Sequence, residues 1–131
     1  IVTEGFSAQE AEQALEAWLN GHPRDAWPEA IFPASAGMAA GVQRVLARHG
    51  LRVPQDIALL TTDFSWHLKH AAVTGIEVPC RELGIEAVHL LQTRLNRPQA
   101  PIFNLLLQGK VRDAGSVVSA TRHIARAAIS A

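Results

Sequence analysis

With 131 residues, 48% of them hydrophobic and 18% charged, the chain has the size and composition of one packed globular domain. Twelve basic and twelve acidic residues cancel, so no broad field draws it to a nucleic-acid backbone or an anionic membrane, and if the chain belongs to a DNA-binding protein the DNA-binding part is elsewhere. No apolar run approaches the roughly 18 to 20 residues of a membrane span. Residues 1–5 lack the features of a signal peptide, and the single Cys80 cannot form an internal disulfide, in keeping with a reducing cytoplasm.

Ile1 opens a stretch that reads as a strand, so the sequence is expected to be part of a longer protein. Ser7 and Glu10 form a capping-box pattern, and Ala11, Leu15, Trp18 and Leu19 follow at helical spacing, which predicts a helix over 8–20 ended by Gly21. Pro23 and Pro28 bracket a loop that holds Trp27. Ala30-Ile31-Phe32 reads as a short buried strand, and Ser35 is placed to cap a helix with Met38, Val42, Val45 and Leu46 on one face, closed by Gly50. The uninterrupted apolar run from Ile57 to Thr61 reads as a central strand of a parallel sheet. Thr74 to Val78 is a further strand. Pro79 then opens a helix with Leu83, Ala87, Leu90, Leu91 and Leu95 on its core side, stopped by Asn96-Arg97-Pro98. Ile102 to Leu107 is expected to be a last strand, and Ser119 to Ile129 a short terminal helix. The alternation predicts an α/β fold, a parallel sheet flanked by helices.

In an open α/β sheet, ligands bind beyond the carboxyl ends of the strands. The residues leaving those ends are Phe6, Ser35 and Asp63. An aromatic face stacks on a sugar ring, a hydroxyl donates or accepts, and a carboxylate accepts from two vicinal hydroxyls. Each has an ordinary structural role as well: Phe6 in the core, Ser35 as a cap, Asp63 in a turn. Trp66 follows Asp63 by three residues and either borders the same pocket or packs, whereas Trp18 lies on a core face. Cys80 and His89 are more than two helical turns apart, without an orienting partner, and do not make a nucleophile and base. His67 and His70 share a helical spacing but have no third ligand, and Gly109-Lys110 lacks the rest of a phosphate loop. No metal and no cofactor is therefore expected.

The segments Glu29-Ala30-Ile31-Phe32, Met38-Ala39-Ala40-Gly41-Val42, Gly50-Leu51-Arg52-Val53-Pro54-Gln55-Asp56-Ile57-Ala58-Leu59-Leu60 and Arg81-Glu82-Leu83-Gly84 resemble the C-terminal half of LacI/GalR transcription regulators, from about Glu4 to Arg112. The resemblance implies a periplasmic-binding-protein-like lobe, here the C-terminal portion of an effector-binding domain over 1–118, with 119–131 as a tail. It implies a sugar or sugar phosphate effector, operator DNA bound only through a separate N-terminal helix-turn-helix domain, a cytoplasmic homodimer, and no enzymatic activity. On this basis Phe6 matches the aromatic that stacks on the effector, and Asp63 the first acidic residue of the strand exit. Ser35 stands where many members have the Asn of an Asn-Asp pair.

Two departures are plain: Thr61-Thr62-Asp63-Phe64 replaces Gly-aromatic-Asp-Asp, and Ala36 replaces the Asp of the pair. Trp18-Leu19, His22-Pro23 and Ser35 are similar to the fructose repressor branch. The resemblance also implies that a first strand and helix of this lobe, with an effector-binding arginine, and most of the opposing lobe lie upstream, so that the 79–96 helix crosses to the other lobe. A periplasmic sugar-binding protein of a transport system shares the expected fold, and an α/β enzyme using Asp63 with a nearby histidine is the reading from a different class.

Overall fold

A computed structural model describes residues 1–63 and 70–118. In chain order the elements are α1 (Ala8–Asn20), a single 3-10 turn (Arg24–Ala26), β1 (Ala30–Ile31), α2 (Ala36–Arg48), β2 (Ala58–Asp63), β3 (Thr74–Glu77), α3 (Cys80–Asn96) and β4 (Lys110–Arg112). The sheet order is β1-β2-β3-β4, with β1, β2 and β3 parallel and β4 antiparallel to β3. This is an open sheet with helices packed on it, the architecture that the alternation of elements predicts.

The capping box forms as expected: the Ser7 hydroxyl accepts from the Glu10 backbone N–H at 3.2 Å, and the Glu10 carboxylate accepts from the Ser7 N–H at 3.0 Å. Buried Ala11, Leu15 and Leu19 then recur every fourth residue along α1 and meet Ala39, Val42, Val45 and Leu46 of α2 in the core. The helices approach so closely that Gly41 faces the Ala8 backbone directly, leaving no room there for a side chain. Outside this seam, Glu12 pairs with Arg44 at 2.6 Å and with Arg48 at 3.0 Å, while Glu16 pairs with Arg48 at 3.2 Å and His49 at 2.7 Å.

Beneath the helix pair, β2 turns Leu59 and Thr61 inward, and Ile57 and Val73 complete the core. The segment after β4 straps the sheet together. Its Ser116 hydroxyl donates to the Leu59 carbonyl at 2.5 Å and accepts from the Thr74 N–H at 2.7 Å, while Asp113 accepts from the Thr74 hydroxyl and the Gly115 N–H at 3.0 and 2.8 Å. Gly115 has a φ of 75°, which suits a residue without Cβ.

Several expectations need correction. Ala30-Ile31-Phe32 is not a buried strand: pairing stops at Ile31, Ala30 and Phe32 are exposed, and β1 is an edge strand. Ile102 to Leu107 has no regular secondary structure, with Ile102 84% and Leu106 91% exposed; the ladder position beside β3 belongs instead to Lys110–Arg112. An apolar run becomes a strand only where an adjacent strand takes up its N–H and C=O groups. Likewise the expected core side of α3 carries no buried residue, and Leu95 is 70% exposed. The expected terminal helix, Ser119 to Ile129, lies outside the described residues.

The two helical glycines should respond in opposite ways. Gly41→Ala forces a methyl group into the Ala8 backbone and is expected to destabilise by about 1–3 kcal/mol. Gly84→Ala, with nothing within 4 Å and an interior position in α3, is expected to stabilise by roughly 0.5–1 kcal/mol. Urea unfolding of both variants checks the pair. Acid should loosen the helix seam as well. Hydrogen bonds from Arg44 and then Arg48 hold Glu12 below the ordinary value of 4.5, and those from His49 and then Arg48 do the same for Glu16. A carboxyl lowered in the folded state contributes stability that is full above its unfolded pKa and is lost as pH falls through its folded one. Melting temperature should therefore drop on acidification below about pH 4.5, less steeply in Glu12→Gln; an unchanged slope in that variant would show that Glu12 carries none of the effect.

Candidate functional site

The carboxyl ends of the parallel strands β1 and β2 open toward the first turn of α2. Ser35, in extended conformation, caps that helix by accepting from the Met38 N–H at 3.2 Å. Asp63, the last residue of β2, reaches the same turn, where its Oδ2 accepts from the Ala36 N–H at 2.8 Å. Thr61, fully buried one pleat earlier, donates to the Pro33 carbonyl at 2.7 Å and so fixes the loop between β1 and α2 against β2. Phe6, immediately before the α1 cap, arrives beside Gly37: a methyl group on Gly37 would meet both the Phe6 carbonyl oxygen and the Ser35 hydroxyl at 3.8 Å.

Three of the four sequence-predicted residues therefore meet around one helix terminus, although 57 positions of sequence separate Phe6 from Asp63. Phe6 is 73% exposed, which rules out the core role open to it from sequence and leaves a ring face open to stacking. Ser35 and Asp63 fill their ordinary local roles, as cap and terminal acceptor, at the same place. The fourth residue, Trp66, lies outside the described residues, as does His67.

Beside this turn, a groove of about 290 Å³ is lined by Ala36, Gly37, Ala40, His70 and Ala71. Nothing in the sequence pairs Gly37 with His70, because only the fold brings the start of α2 beside the segment that precedes β3. The small residues at positions 36, 37 and 40 were a usable signal, since they leave one flank of α2 without bulk. Elsewhere, Trp18 stacks on His22 at 4.2 Å, and Trp27 meets His49 edge-on at 5.6 Å while donating to the His22 carbonyl at 3.1 Å. Both tryptophans pack on the core. Cys80 is half-buried, and His89 is exposed beside Glu86 at 3.6 Å. Among the described residues no group of three or more His, Cys, Asp or Glu could hold a metal ion, and no helix is long and apolar enough to cross a membrane.

Residues 1–7 form no strand, so Phe6 does not leave a strand end as expected from sequence; the open, mostly parallel sheet flanked by helices is the architecture of a periplasmic-binding-protein-like domain. Residues 2–117 match the periplasmic binding protein-like domain family, and the chain belongs to it. Its relatives are LacI/GalR-type regulators. The HTH-type transcriptional repressor MelR of Bacillus subtilis is 37% identical over 76 residues, which is 56% of this chain and 22% of the relative. The HTH-type transcriptional regulator CelR of Thermobifida fusca is 33% identical over 91 residues, 66% of this chain and 27% of the relative. Among solved structures, a complex of the regulator CelR with cellobiose superposes with a TM-score of 0.72 at 28% identity, covering 85% of this chain and 34% of that one. A LacI-family regulator from Corynebacterium glutamicum gives 0.67 at 31%, covering 87% and 43%. The chain thus spans less than a third of these curated relatives and less than half of these structures.

The cap at the head of the site is also a stability element. Ser35→Ala should cost about 0.5–2 kcal/mol, since the Met38 N–H loses its acceptor. Thermal unfolding measures this, and a variant as stable as the parent would show that solvent replaces the cap without loss.

Proposed function

We propose that the chain is the effector-sensing part of a cytoplasmic DNA-binding transcription regulator that responds to a sugar or sugar phosphate. The observation that carries this reading is the meeting of Phe6, Ser35 and Asp63 at the α2 N-terminus, in a domain of a fold whose solved structures include complexes with sugars. The similar CelR structure is a complex with cellobiose, and a LacI-family regulator from Enterococcus faecium of the same fold holds ribose. In this reading residues 1–118 form the C-terminal portion of the effector domain and 119–131 a tail. Ser35 and the Trp18, His22 and Pro23 pattern favour the fructose repressor branch.

The roles follow from chemistry. Phe6 offers a ring face to the apolar face of the sugar, Asp63 accepts hydrogen bonds from hydroxyls, and Ser35 donates or accepts at the same edge, with Trp66 as the fourth candidate contact from the sequence. A second lobe supplies the opposite wall, and effector binding between the lobes changes their relative orientation. Differential affinity for the two orientations shifts operator binding, which resides in a separate helix-turn-helix domain of a homodimer. No bond of the effector is made or broken.

Asp63→Asn in the longer regulator tests this reading. The substitution keeps the shape and one acceptor oxygen for the Ala36 N–H, but gives up charge and the second acceptor. Charge-assisted hydrogen bonds contribute roughly 1.5–3 kcal/mol each, so effector affinity should fall about tenfold to a hundredfold. Operator affinity without effector should hardly change. Calorimetry for effector and a DNA-binding assay measure the two separately; an Asp63→Asn protein that is folded and binds effector as tightly as the parent would remove Asp63 from the site.

A further inference from the structure

We infer that Thr61 is the positioning residue of the proposed site: its buried hydroxyl sets the turn between β1 and α2 that presents Ser35 and brings the Ala36 N–H to Asp63. The inference rests on the effector-site reading above and adds to it a residue that itself touches no ligand. Position 61 belongs to one of the two plain departures of this sequence, a threonine where the family pattern has glycine. Glycine has no side chain with which to donate. Thr61 is fully buried, and a buried hydroxyl is costly unless it finds an acceptor.

The acceptor it finds decides the geometry of the turn. Ladder pairing of β1 with β2 ends at Ile31, and the chain then runs through Phe32, Pro33, Ala34 and Ser35 to the start of α2. Phe32 and Ala34 are exposed, so packing does not fix them. Pro33 is buried but has no N–H, which leaves its carbonyl as the backbone group that can tie the turn down. That carbonyl accepts from the Thr61 hydroxyl at 2.7 Å. Beyond it, Ser35 accepts from the Met38 N–H at 3.2 Å, and the Ala36 N–H donates to Asp63 at 2.8 Å. Thr61 and Asp63 alternate with Thr62 and so share a face of β2, gripping the turn at both ends from one strand. The strand is itself held from the other side. The Thr62 hydroxyl donates to the Ile76 carbonyl at 3.1 Å, and the Val78 N–H to the Asp63 carbonyl at 3.1 Å. With β2 fixed on β3, the Thr61 hydroxyl passes that fixed position on to the turn.

Hydrogen exchange of the Ala36 amide in the labelled 131-residue chain, taken as a ratio to that of the buried Leu46 in the helix seam, provides the test. No sugar is present, so a result against Thr61 leaves the effector reading standing, and failure of the longer regulator to bind any sugar sinks that reading without touching this ratio. Thr61→Val keeps the size of the side chain but cannot donate, and should raise the ratio about tenfold. Thr61→Ser keeps the hydroxyl and should return the ratio to that of the parent. Equal acceleration of both amides in Thr61→Val would mean lost global stability alone, and would overturn the positioning role. A serine chain that exchanges like the valine chain overturns it too, because the methyl group and not the hydroxyl would then hold the turn. Where Thr61→Val does not fold, Thr61→Cys, whose thiol is a weak donor, takes its place: a raised ratio supports the inference, and the parent's ratio overturns it.

Discussion

The contact of Gly41 with the Ala8 backbone sets the position of almost everything that bears on the site. Because α2 offers no side chain there, α1 lies directly on it, and the two helices run side by side with their N-termini at the same end. The chain entering α1 must then pass the first turn of α2, which is where Phe6 meets Gly37. Any bulk at position 41 would lift the start of α1, and Phe6 with it, away from Ser35 and Asp63. The ion pairs of Glu12 and Glu16 follow from the same proximity and hold the far half of the helix pair. Partly exposed pairs of this kind contribute less than the buried seam, so they adjust the packing that glycine permits and do not create it.

Ser35 and Asp63 serve the fold and the proposed site with the same atoms. A helix terminus has N–H groups that must be satisfied, and here the acceptors come from the two side chains that a ligand would also address. That coupling fixes both side chains before any ligand arrives, so less rotamer freedom remains to be lost on binding. It also explains how Ala36 can replace an acidic residue at the head of this helix: the charge complement to the helix dipole comes from Asp63 across the strand exit.

Sequence patterns carried much of the local structure, and their failures have a common cause. The capping box, the fourfold spacing of Ala11, Leu15 and Leu19, and the apolar run into β2 all specify elements through neighbours in sequence, and each forms as expected. Strand exits also located Ser35 and Asp63, since parallel-sheet topology gives those positions meaning before any contact is known. Tertiary questions were less legible. The apolar pattern of Ile102 to Leu107 is that of a strand, but nothing within it says whether a neighbouring strand exists. Leu83 and Leu95 obey helical spacing whether or not anything covers them. Phe6 was ambiguous for the same reason, its exposure being decided by the helix seam, and the groove beside Gly37 and His70 depends on two segments more than thirty positions apart.

Packing is unequal across the molecule, and the inequality is aligned with the site. The described core draws on α1, α2, β2 and the residues leading into β3, with Ser116 tying β2 to β3 through buried hydrogen bonds. In contrast α3 contributes no buried residue, and much of the chain after it is exposed. Phe6, Ser35 and Asp63 all project from the well-packed part. Local unfolding begins where few apolar contacts must be broken, so α3 can open at lower cost than the seam between α1 and α2. Opening there leaves the bonds from the Ala36 N–H to Asp63 and from the Met38 N–H to Ser35 in place, because donors and acceptors alike belong to β2 and the α2 terminus. The constellation is thus anchored to the cooperative core of the chain, and the geometry offered to a ligand is insulated from motion in the exposed half.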